Sequence, residues 1–130
     1  MNTLIDSDCL IAAFIQNDSN HNKAVDLMLK ETERGSIYSL NLVIQESATV
    51  LSHKIGMEAA VLFIKKLQSL NLEIIDLDSS IEKEAWEIFL KQTKKGTSFI
   101  DCANLATANK YKLEKILSFD RFYKKHLSTV

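Results

Sequence analysis

The sequence predicts an α/β protein, built as a three-layer α/β/α sandwich around a central, mainly parallel sheet of four to five strands. Two observations predict this fold. Short apolar stretches typical of buried strands alternate with longer segments of helical periodicity, which favours a parallel sheet covered by helices on both faces. The chain of 130 residues, 46% of them hydrophobic, is also long enough to bury one core. We therefore expect a single domain over residues 1–130.

The first half of the chain predicts two strands, with helices bounded by polar breaks. Residues 3–5 lack polar alternation, as in a buried strand. Asp6, Ser7 and Asp8 suit the turn into a helix, because they offer acceptors to its free N–H groups. The predicted elements are strand 3–5, helix 10–15, helix 21–34 ending at Gly35, strand 36–40, helix 42–54 capped by Asn41, and helix 57–70.

The second half predicts two further strands and three helices. Ser79 and Glu82 have the spacing of a capping box, which predicts a helix from there to about residue 94. Gly96 ends this helix, and Thr97 and Ser98 open the next one. The predicted elements are strand 72–75, helix 79–94, a helix from 97 onward, strand 115–119 and a short helical tail over 121–127.

Composition and charge narrow the class of protein. The net charge of −1 gives no overall positive field for nucleic acid, although acids at a metal site can offset basic residues elsewhere. Cys9 and Cys102 lie in apolar helical segments and are interpreted as buried, since no other Cys or His stands at zinc-ligand spacing. No apolar run is long enough to span a membrane, and no secretory leader opens the sequence. We therefore expect a cytoplasmic protein.

Four acids occupy equivalent places in the predicted fold. Asp6 ends the first strand, Glu46 follows the second, Asp101 opens the helix before the fourth, and Asp120 ends the fourth. Because ligands bind at the carboxyl ends of parallel strands, all four can gather at one rim of the sheet. Carboxylates so close repel one another unless a cation is present, and Mg²⁺ prefers oxygen ligands. Such a site supports phosphoryl chemistry.

Each acid also has a structural interpretation that the residues leave open. Glu46 suits a solvated helix surface, Asp120 a helix cap, and Asp6 or Asp8 the cap of the first helix. Asp101 lies in a helix otherwise short of polar residues, so a buried acid there needs a partner. Three other features are interpreted as structural: the strand-end pair Asp76 and Asp78, the helix-start His21, and the solvated lysines 91, 94 and 95.

Four segments together resemble the PIN domain, and specifically the compact VapC-type toxins of toxin–antitoxin pairs. The segments are LIDSDCLI at 4–11, NLVIQE at 41–46, SFIDCANLATA at 98–108 and LSFDRF at 117–122. Each segment alone is a weak motif, but the four in this order and spacing cover almost the whole chain. A final edge strand seen in many relatives is expected to be missing or reduced, since the sequence stops soon after Asp120.

The resemblance implies a metal-dependent endoribonuclease that uses Mg²⁺ or Mn²⁺. It assigns the acidic positions of the family to Asp6, Glu46, Asp101 and Asp120. It assigns supporting roles to Ser7, Asp8, Thr97 and Ser98, the role of Asp8 being less defined because many relatives have Asn or Ser there. The implied partners are an RNA substrate, a cognate antitoxin protein and a second copy of the chain.

Two alternatives belong to other functional classes. A haloacid-dehalogenase-like phosphatase also places an Asp-x-Asp motif after its first strand, as Asp6-Ser7-Asp8 does here. That family further needs a catalytic Lys and a paired-acid motif, and the helix at Asp101 carries one acid. The second alternative is a PIN-fold protein that processes or binds RNA outside a toxin pair. Small size without appended domains favours the toxin.

Two helices are more apolar than one core face requires. Residues 9–15 are apolar on every side, and helix 57–70 has the same excess. The predicted core stripe of the second helix is Ala60, Ile64 and Leu67, flanked by Val61 and Phe63. Leu62 then points roughly opposite, at about 100° per residue. With the resemblance, this excess predicts a homodimer that exposes an apolar groove for an antitoxin.

Overall fold

The computed structural model describes residues 2–129, which form four short strands, six α-helices and a 3₁₀ helix. In chain order these elements are β1 (Thr3–Ile5), α1 (Ser7–Phe14), α2 (His21–Arg34), β2 (Ile37–Leu40), α3 (Asn41–Lys54), α4 (Met57–Leu67), β3 (Leu72–Ile75), α5 (Ser79–Leu90), α6 (Phe99–Tyr111), β4 (Lys115–Leu117) and the C-terminal 3₁₀ helix (Arg121–Lys125). The order and type of every predicted element are therefore confirmed.

The four strands form one sheet in the order β3-β2-β1-β4, and every neighbouring pair is parallel. Helix α1 contacts α2 and α3, α3 contacts α4, and α5 packs on α6, so helices flank the sheet as predicted. Beyond β4, a single parallel bridge joins Lys115 to Ser128. Within residues 2–129 no full strand follows β4.

The core explains why strands β1 and β4 lack polar alternation. Leu4, Ile5, Ile116 and Leu117 are completely buried, since layers of helices cover both faces of the sheet. Because all four strands run in the same direction, their carboxyl ends meet at one edge. This edge is where the first acid, Asp6, follows β1.

The capping box predicted at Ser79 and Glu82 is wrong. The N-cap of α5 is Asp78, whose carboxylate accepts a hydrogen bond from the Ile81 N–H at 2.8 Å, and Ser79 is already helical. An ion pair with Lys110 of α6 holds the Asp78 carboxylate in place. Asp78 therefore has both a local and a tertiary partner, and its structural interpretation is confirmed.

Other helix ends also differ from prediction, and α1 begins at Ser7, before the predicted start at residue 10. Asn41 is the first residue of α3 and does not cap it; its side chain instead accepts from the Leu77 N–H at 3.0 Å and ties α3 to the end of β3. Helices α4 and α5 end at Leu67 and Leu90, short of residues 70 and 94. In both, the final bonds tighten to the i→i+3 pattern, as in Leu70 N–H to Leu67 C=O.

The buried face of α4 is rotated from the predicted one. Phe63, predicted to flank the core stripe, is 2% exposed and packs edge-on against Phe14, whereas Ile64 is 37% exposed. The contact of the two rings accompanies a buried Phe63 and leaves Ile64 toward the outside. Val61 and Leu62 are each 46% exposed, so the predicted outward direction of Leu62 is confirmed.

Several smaller predictions agree with the structure. Cys9 and Cys102 are free and buried. His21 opens α2, and its Nδ1 lies 2.8 Å from the Ala12 carbonyl oxygen, so it joins α2 to α1. Among residues 2–129, no helix is both long and apolar enough to cross a membrane.

Candidate active site

Asp6 lies at the point where β1 becomes α1. Its backbone N–H donates to the Leu117 carbonyl of β4 at 3.0 Å, which continues the sheet by one residue. It is the N-cap of α1, and its Oδ1 accepts from the Ser7 N–H at 2.8 Å. The side chain is 5% exposed, so the sheet and the helix together fix a buried carboxylate at the edge of the fold.

Three side chains from distant parts of the chain also donate to Asp6. Asn104 of α6 places Nδ2 at 3.2 Å from Oδ1. The hydroxyls of Ser118 and Tyr123 lie 3.2 Å and 3.1 Å from Oδ2. With the backbone donor, both carboxylate oxygens have two polar contacts. A buried carboxylate with this many donors is held in one orientation.

Asp101 stands in the first turn of α6 and forms a true capping box with Ser98. The Ser98 hydroxyl accepts from the Asp101 N–H at 3.0 Å, and the Asp101 Oδ2 accepts from the Ser98 N–H at 3.1 Å. The other oxygen, Oδ1, lies 3.2 Å from the Tyr123 hydroxyl. Asp101 is thus a half-buried acid with partners, as predicted, and Ser98 supports it.

Asp8 lies in the first turn of α1 and faces the segment after β4. Its Oδ2 accepts from the Phe119 N–H at 2.9 Å and lies 3.3 Å from the Ser118 hydroxyl. Its Oδ1 is buried and has no hydrogen-bond partner among the described residues. The oxygen of Ser118 in turn accepts from the Asp120 N–H at 3.0 Å. Asp8 is therefore joined to Asp6 through one shared hydroxyl.

The last two predicted acids lie further out. Glu46 accepts a hydrogen bond from the Ser7 hydroxyl at 2.5 Å, so Ser7 links it to the end of β1. Asp120 is exposed and caps the 3₁₀ helix through the Phe122 N–H at 2.9 Å. Its charge is nonetheless near enough to raise the pKa of Asp8 and Asp101.

The sequence-predicted residues are thus joined in a network, with one exception. The Thr97 hydroxyl donates a hydrogen bond to the Lys94 carbonyl at 3.3 Å and contacts none of the acids. No contact in the described structure therefore supports its predicted role. Asp6 shares one hydroxyl with Asp101 and one with Asp8, whereas Glu46 joins the network through Ser7 and Asp120 through its backbone N–H. In the part of the chain that the structure describes, no three Asp, Glu, His or Cys side chains surround one point closely enough to hold an ion.

The two bridging hydroxyls supply too few protons for their contacts. Tyr123 lies between Asp6 and Asp101, and Ser118 lies between Asp6 and Asp8. Each hydroxyl has one proton, and each hydroxyl oxygen already accepts from another donor. Two protons therefore serve four contacts between a hydroxyl and a carboxylate. The centre is short of positive charge, which a bound proton or a cation would supply.

The electrostatics agree with this shortage. Burial, together with the charges of Asp8 and Asp101, raises the pKa of Asp6 to about 7. Burial also raises the pKa of Asp8 and of Asp101, although backbone hydrogen bonds to each oppose the shift. Three acids whose charged forms are disfavoured together form an unusual cluster, and such clusters are typical of functional sites.

The model of the PIN domain family matches residues 3–126 of the chain. This protein belongs to the PIN domain family. The sequence resemblance and the predicted fold are both confirmed. No curated protein matches the chain in sequence.

Solved structures of VapC20, VapBC2 and FitAcB share the fold of this PIN domain. VapC20 of Mycobacterium tuberculosis, a sarcin–ricin loop cleaving toxin, has a TM-score of 0.84 at 21% identity, over 95% of this chain and 93% of that one. VapBC2 of Rickettsia felis, bound to promoter DNA, has a TM-score of 0.72 at 16% identity, over 100% and 98%. FitAcB of Neisseria gonorrhoeae has a TM-score of 0.72 at 14% identity, over 98% and 95%.

Three residues at the centre of this PIN domain were not predicted as site residues: Asn104, Ser118 and Tyr123. Asn104 had a signal, since it lies one turn after Asp101 on the same face of an apolar helix. Ser118 had a weaker one, as a lone hydroxyl between two apolar residues at a strand end. Tyr123 had none, because only the folded chain brings the tail to β1.

Proposed function

We propose that this PIN domain is a metal-dependent endoribonuclease and the toxin of a toxin–antitoxin pair, acting on RNA in the cytoplasm. One observation supports it above all. The buried carboxylate of Asp6 is joined through single hydroxyls to Asp101 and to Asp8 at the carboxyl edge of a parallel sheet. This centre lacks positive charge, and a bound divalent cation would supply it together with an activated water for phosphodiester hydrolysis.

The donor set fits a hard divalent cation, Mg²⁺ or Mn²⁺. All the candidate ligands are oxygens, and Mg²⁺ needs only one or two carboxylates beside its waters. Asp6 and Asp101 would hold the ion, with Glu46 and Asp120 completing the set and Asp8 supporting it. When bound, the ion would activate water and stabilise the leaving oxygen of a phosphodiester. The unpartnered Oδ1 of Asp8 is a further acceptor in the same cluster.

The chain itself contributes orientation and charge. Backbone and side-chain donors fix the carboxylates of Asp6 and Asp101, so the ligands need little reorganisation when an ion binds. Lys23 lies over the Phe119 ring at 5.7 Å, beside the backbone donor to Asp8. The exposed bases of the 3₁₀ helix follow Asp120. These cations would attract the phosphates of RNA to an acidic centre.

An antitoxin is the proposed protein partner, and an apolar groove supports it. The groove has a volume of about 510 Å³ and lies between α1, α2 and α4. Its apolar lining includes Leu10 and Phe14 of α1, Met28 and Leu29 of α2, and Phe63 and Leu67 of α4. A groove of this kind suits the apolar side of a peptide segment. The exposed Val61 and Leu62 lie on another face of α4, which we assign to a homodimer contact.

Membership of the PIN family removes the phosphatase alternative, while RNA processing outside a toxin pair stays as the second candidate. The experiment is cleavage of structured RNA by chelator-treated protein, before and after Mg²⁺ or Mn²⁺ is added. We expect no cleavage without the ion, and products with 5′-phosphate and 3′-hydroxyl ends with it. Metal-independent cleavage, or none at all, would overturn the nuclease. Growth arrest on expression of this protein, relieved by co-expression of an adjacent antitoxin gene, would support the toxin over RNA processing outside a toxin pair.

A further inference from the structure

We propose that Tyr123 and Asn104 are positioning residues, a buried hydrogen-bonded pair that sets how the carboxylates of Asp6 and Asp101 face a divalent cation. The proposal rests on the proposed function only in taking these two acids as ligands of the ion. Neither member of the pair needs to touch the ion or the RNA.

The pair contacts both acids directly. The Tyr123 hydroxyl lies 3.1 Å from Asp6 Oδ2 and 3.2 Å from Asp101 Oδ1. Asn104 Nδ2 lies 3.2 Å from Asp6 Oδ1 and 3.0 Å from the Tyr123 hydroxyl. Both side chains are completely buried. One tyrosine oxygen therefore holds the two carboxylates on either side of itself, and Asn104 holds that oxygen.

The direction of the hydrogen bonds follows from the donors present. An ionised Asp6 only accepts, so Asn104 presents its amide NH₂ to Asp6, and its second proton goes to Tyr123. The tyrosine oxygen thus accepts from Asn104, and its single proton is shared between the carboxylates of Asp6 and Asp101. Burial, with the charges of Asp6 and Asp101, holds the pKa of Tyr123 far above its usual value. The hydroxyl is therefore a donor at neutral pH.

Stability alone does not account for Asn104. Its Oδ1 is buried without a hydrogen-bond partner among the described residues, and such an orphan costs about 1–3 kcal/mol. The neighbouring residues on α6, Ala103 and Leu105, show that the helix otherwise buries apolar side chains here. An unfavourable group kept for its two donors is typical of a functional position. The same reasoning applies to a tyrosine hydroxyl buried between two acids.

The test is Tyr123→Phe, with Tyr111→Phe as the matched control. Phenylalanine keeps the ring that packs edge-on against Phe122 at 5.2 Å and removes only the hydroxyl. Tyr111 is exposed at the end of α6, away from the acids. The first readout is the dissociation constant for Mn²⁺, measured by electron paramagnetic resonance without RNA at a temperature where all variants are folded.

We expect Tyr123→Phe to weaken Mn²⁺ binding by about 10- to 100-fold, the range found when outer-shell partners of metal ligands are removed. Tyr111→Phe should leave the constant unchanged. Saturating Mn²⁺ should restore most of the cleavage rate of Tyr123→Phe, with an unchanged KM for RNA. An unchanged Mn²⁺ constant in Tyr123→Phe, or a wild type that binds no Mn²⁺, would overturn the proposal.

A second variant keeps the proposal testable if Tyr123→Phe folds poorly. Asn104→Leu removes both amide donors at similar volume, and it should also weaken Mn²⁺ binding. In the double variant the losses should not add, because Asn104 acts partly through Tyr123. Fully additive losses of Mn²⁺ affinity would contradict the proposal that Asn104 acts through Tyr123. Mn²⁺ binding is measured without RNA. A wild type that binds Mn²⁺ but cleaves no RNA would therefore contradict the proposed nuclease function without contradicting this inference.

Discussion

At the scale of single residues, one carboxylate oxygen joins the acids of the centre. Asp6 Oδ2 contacts the hydroxyls of both Ser118 and Tyr123, and each of those hydroxyls also serves a second acid. The burial that makes Asp6 costly to ionise is the same burial that strengthens its attraction for a cation. The residue therefore links the stability of the metal-free protein to its function.

This link predicts how stability depends on pH. Burial raises the pKa of Asp6 in the folded protein to about 7, from its usual value of 3.8. The folded state therefore binds the proton more tightly, and its stability falls as pH rises from about 4 to 7. Asp8 and Asp101 shift in the same direction. Asp6→Asn should remove much of this decline in the free energy of unfolding, which is on the order of a few kcal/mol between about pH 4 and pH 7.

The measurement is urea unfolding of chelator-treated protein at pH 5, 6, 7 and 8. Wild type should lose stability across the series, and Asp6→Asn should lose clearly less. Asp76→Asn, which removes an exposed acid at the end of β3, is the control and should follow wild type. If Asp6→Asn kept the full pH dependence of wild type, the burial of an ionised Asp6 would not be the cause.

At the scale of secondary-structure elements, the sequence predicts what local patterns determine. The four strands, their order along the chain and the acids that follow them were all read from apolar runs and polar ends. The sequence also suggests where helices begin, but Asp78 and Ser79 are both favoured N-cap residues, so propensity alone does not choose between them. In the fold Asp78 is the cap, and its ion pair with Lys110 of α6 is a contact that nothing near Asp78 in the sequence indicates.

Dependence on tertiary contacts also explains why Asn104 and Tyr123 are not predicted as site residues. The candidate acids follow strands, so the sequence brings them to one edge of the sheet. The hydrogen-bond partners of Asp6 come from residues about a hundred positions away, such as Asn104 and Tyr123. Such pairings depend on how α6 and the C-terminal 3₁₀ helix pack, and no local pattern carries that information. The face of α4 is a smaller case, where the buried Phe63 contacts Phe14.

The corrected cap gives a prediction for α5. Asp78→Ala removes the acceptor for the Ile81 N–H and the partner of Lys110, so it should lower the urea midpoint of unfolding. Ser79→Ala should leave the midpoint nearly unchanged, because Ser79 is inside the helix. Urea unfolding at pH 7 compares the two. A larger loss for Ser79→Ala would restore the capping box that the sequence predicts.

At the scale of the whole molecule, two apolar surfaces are assigned to different partners. Leu29 is 62% exposed and lines the groove, whereas Leu62 is 46% exposed on α4 and does not line it. Leu29→Glu should therefore weaken antitoxin binding at least tenfold and leave the oligomeric state unchanged, since about 1.4 kcal/mol of lost contact suffices. Leu62→Glu should weaken the homodimer and leave antitoxin binding unchanged.

Light scattering gives the oligomeric state, and titration calorimetry with the product of an adjacent antitoxin gene gives the affinity. Each variant serves as the control for the other. A wild type that is strictly monomeric at micromolar concentration would contradict the homodimer. Antitoxin binding unaffected by Leu29→Glu would contradict the groove as its site.

The central claim is that a carboxylate centre at the edge of the sheet cleaves RNA with a bound divalent ion. Its most direct test compares Asp101→Asn with Asp76→Asn, two changes that remove one charge each and keep the shape of the side chain. After chelation and readdition of Mg²⁺, Asp101→Asn should lose a factor of at least about 10² in cleavage rate, or about 2.7 kcal/mol of transition-state stabilisation. Asp76→Asn should keep the wild-type rate. Equal rates for wild type and Asp101→Asn would contradict the account.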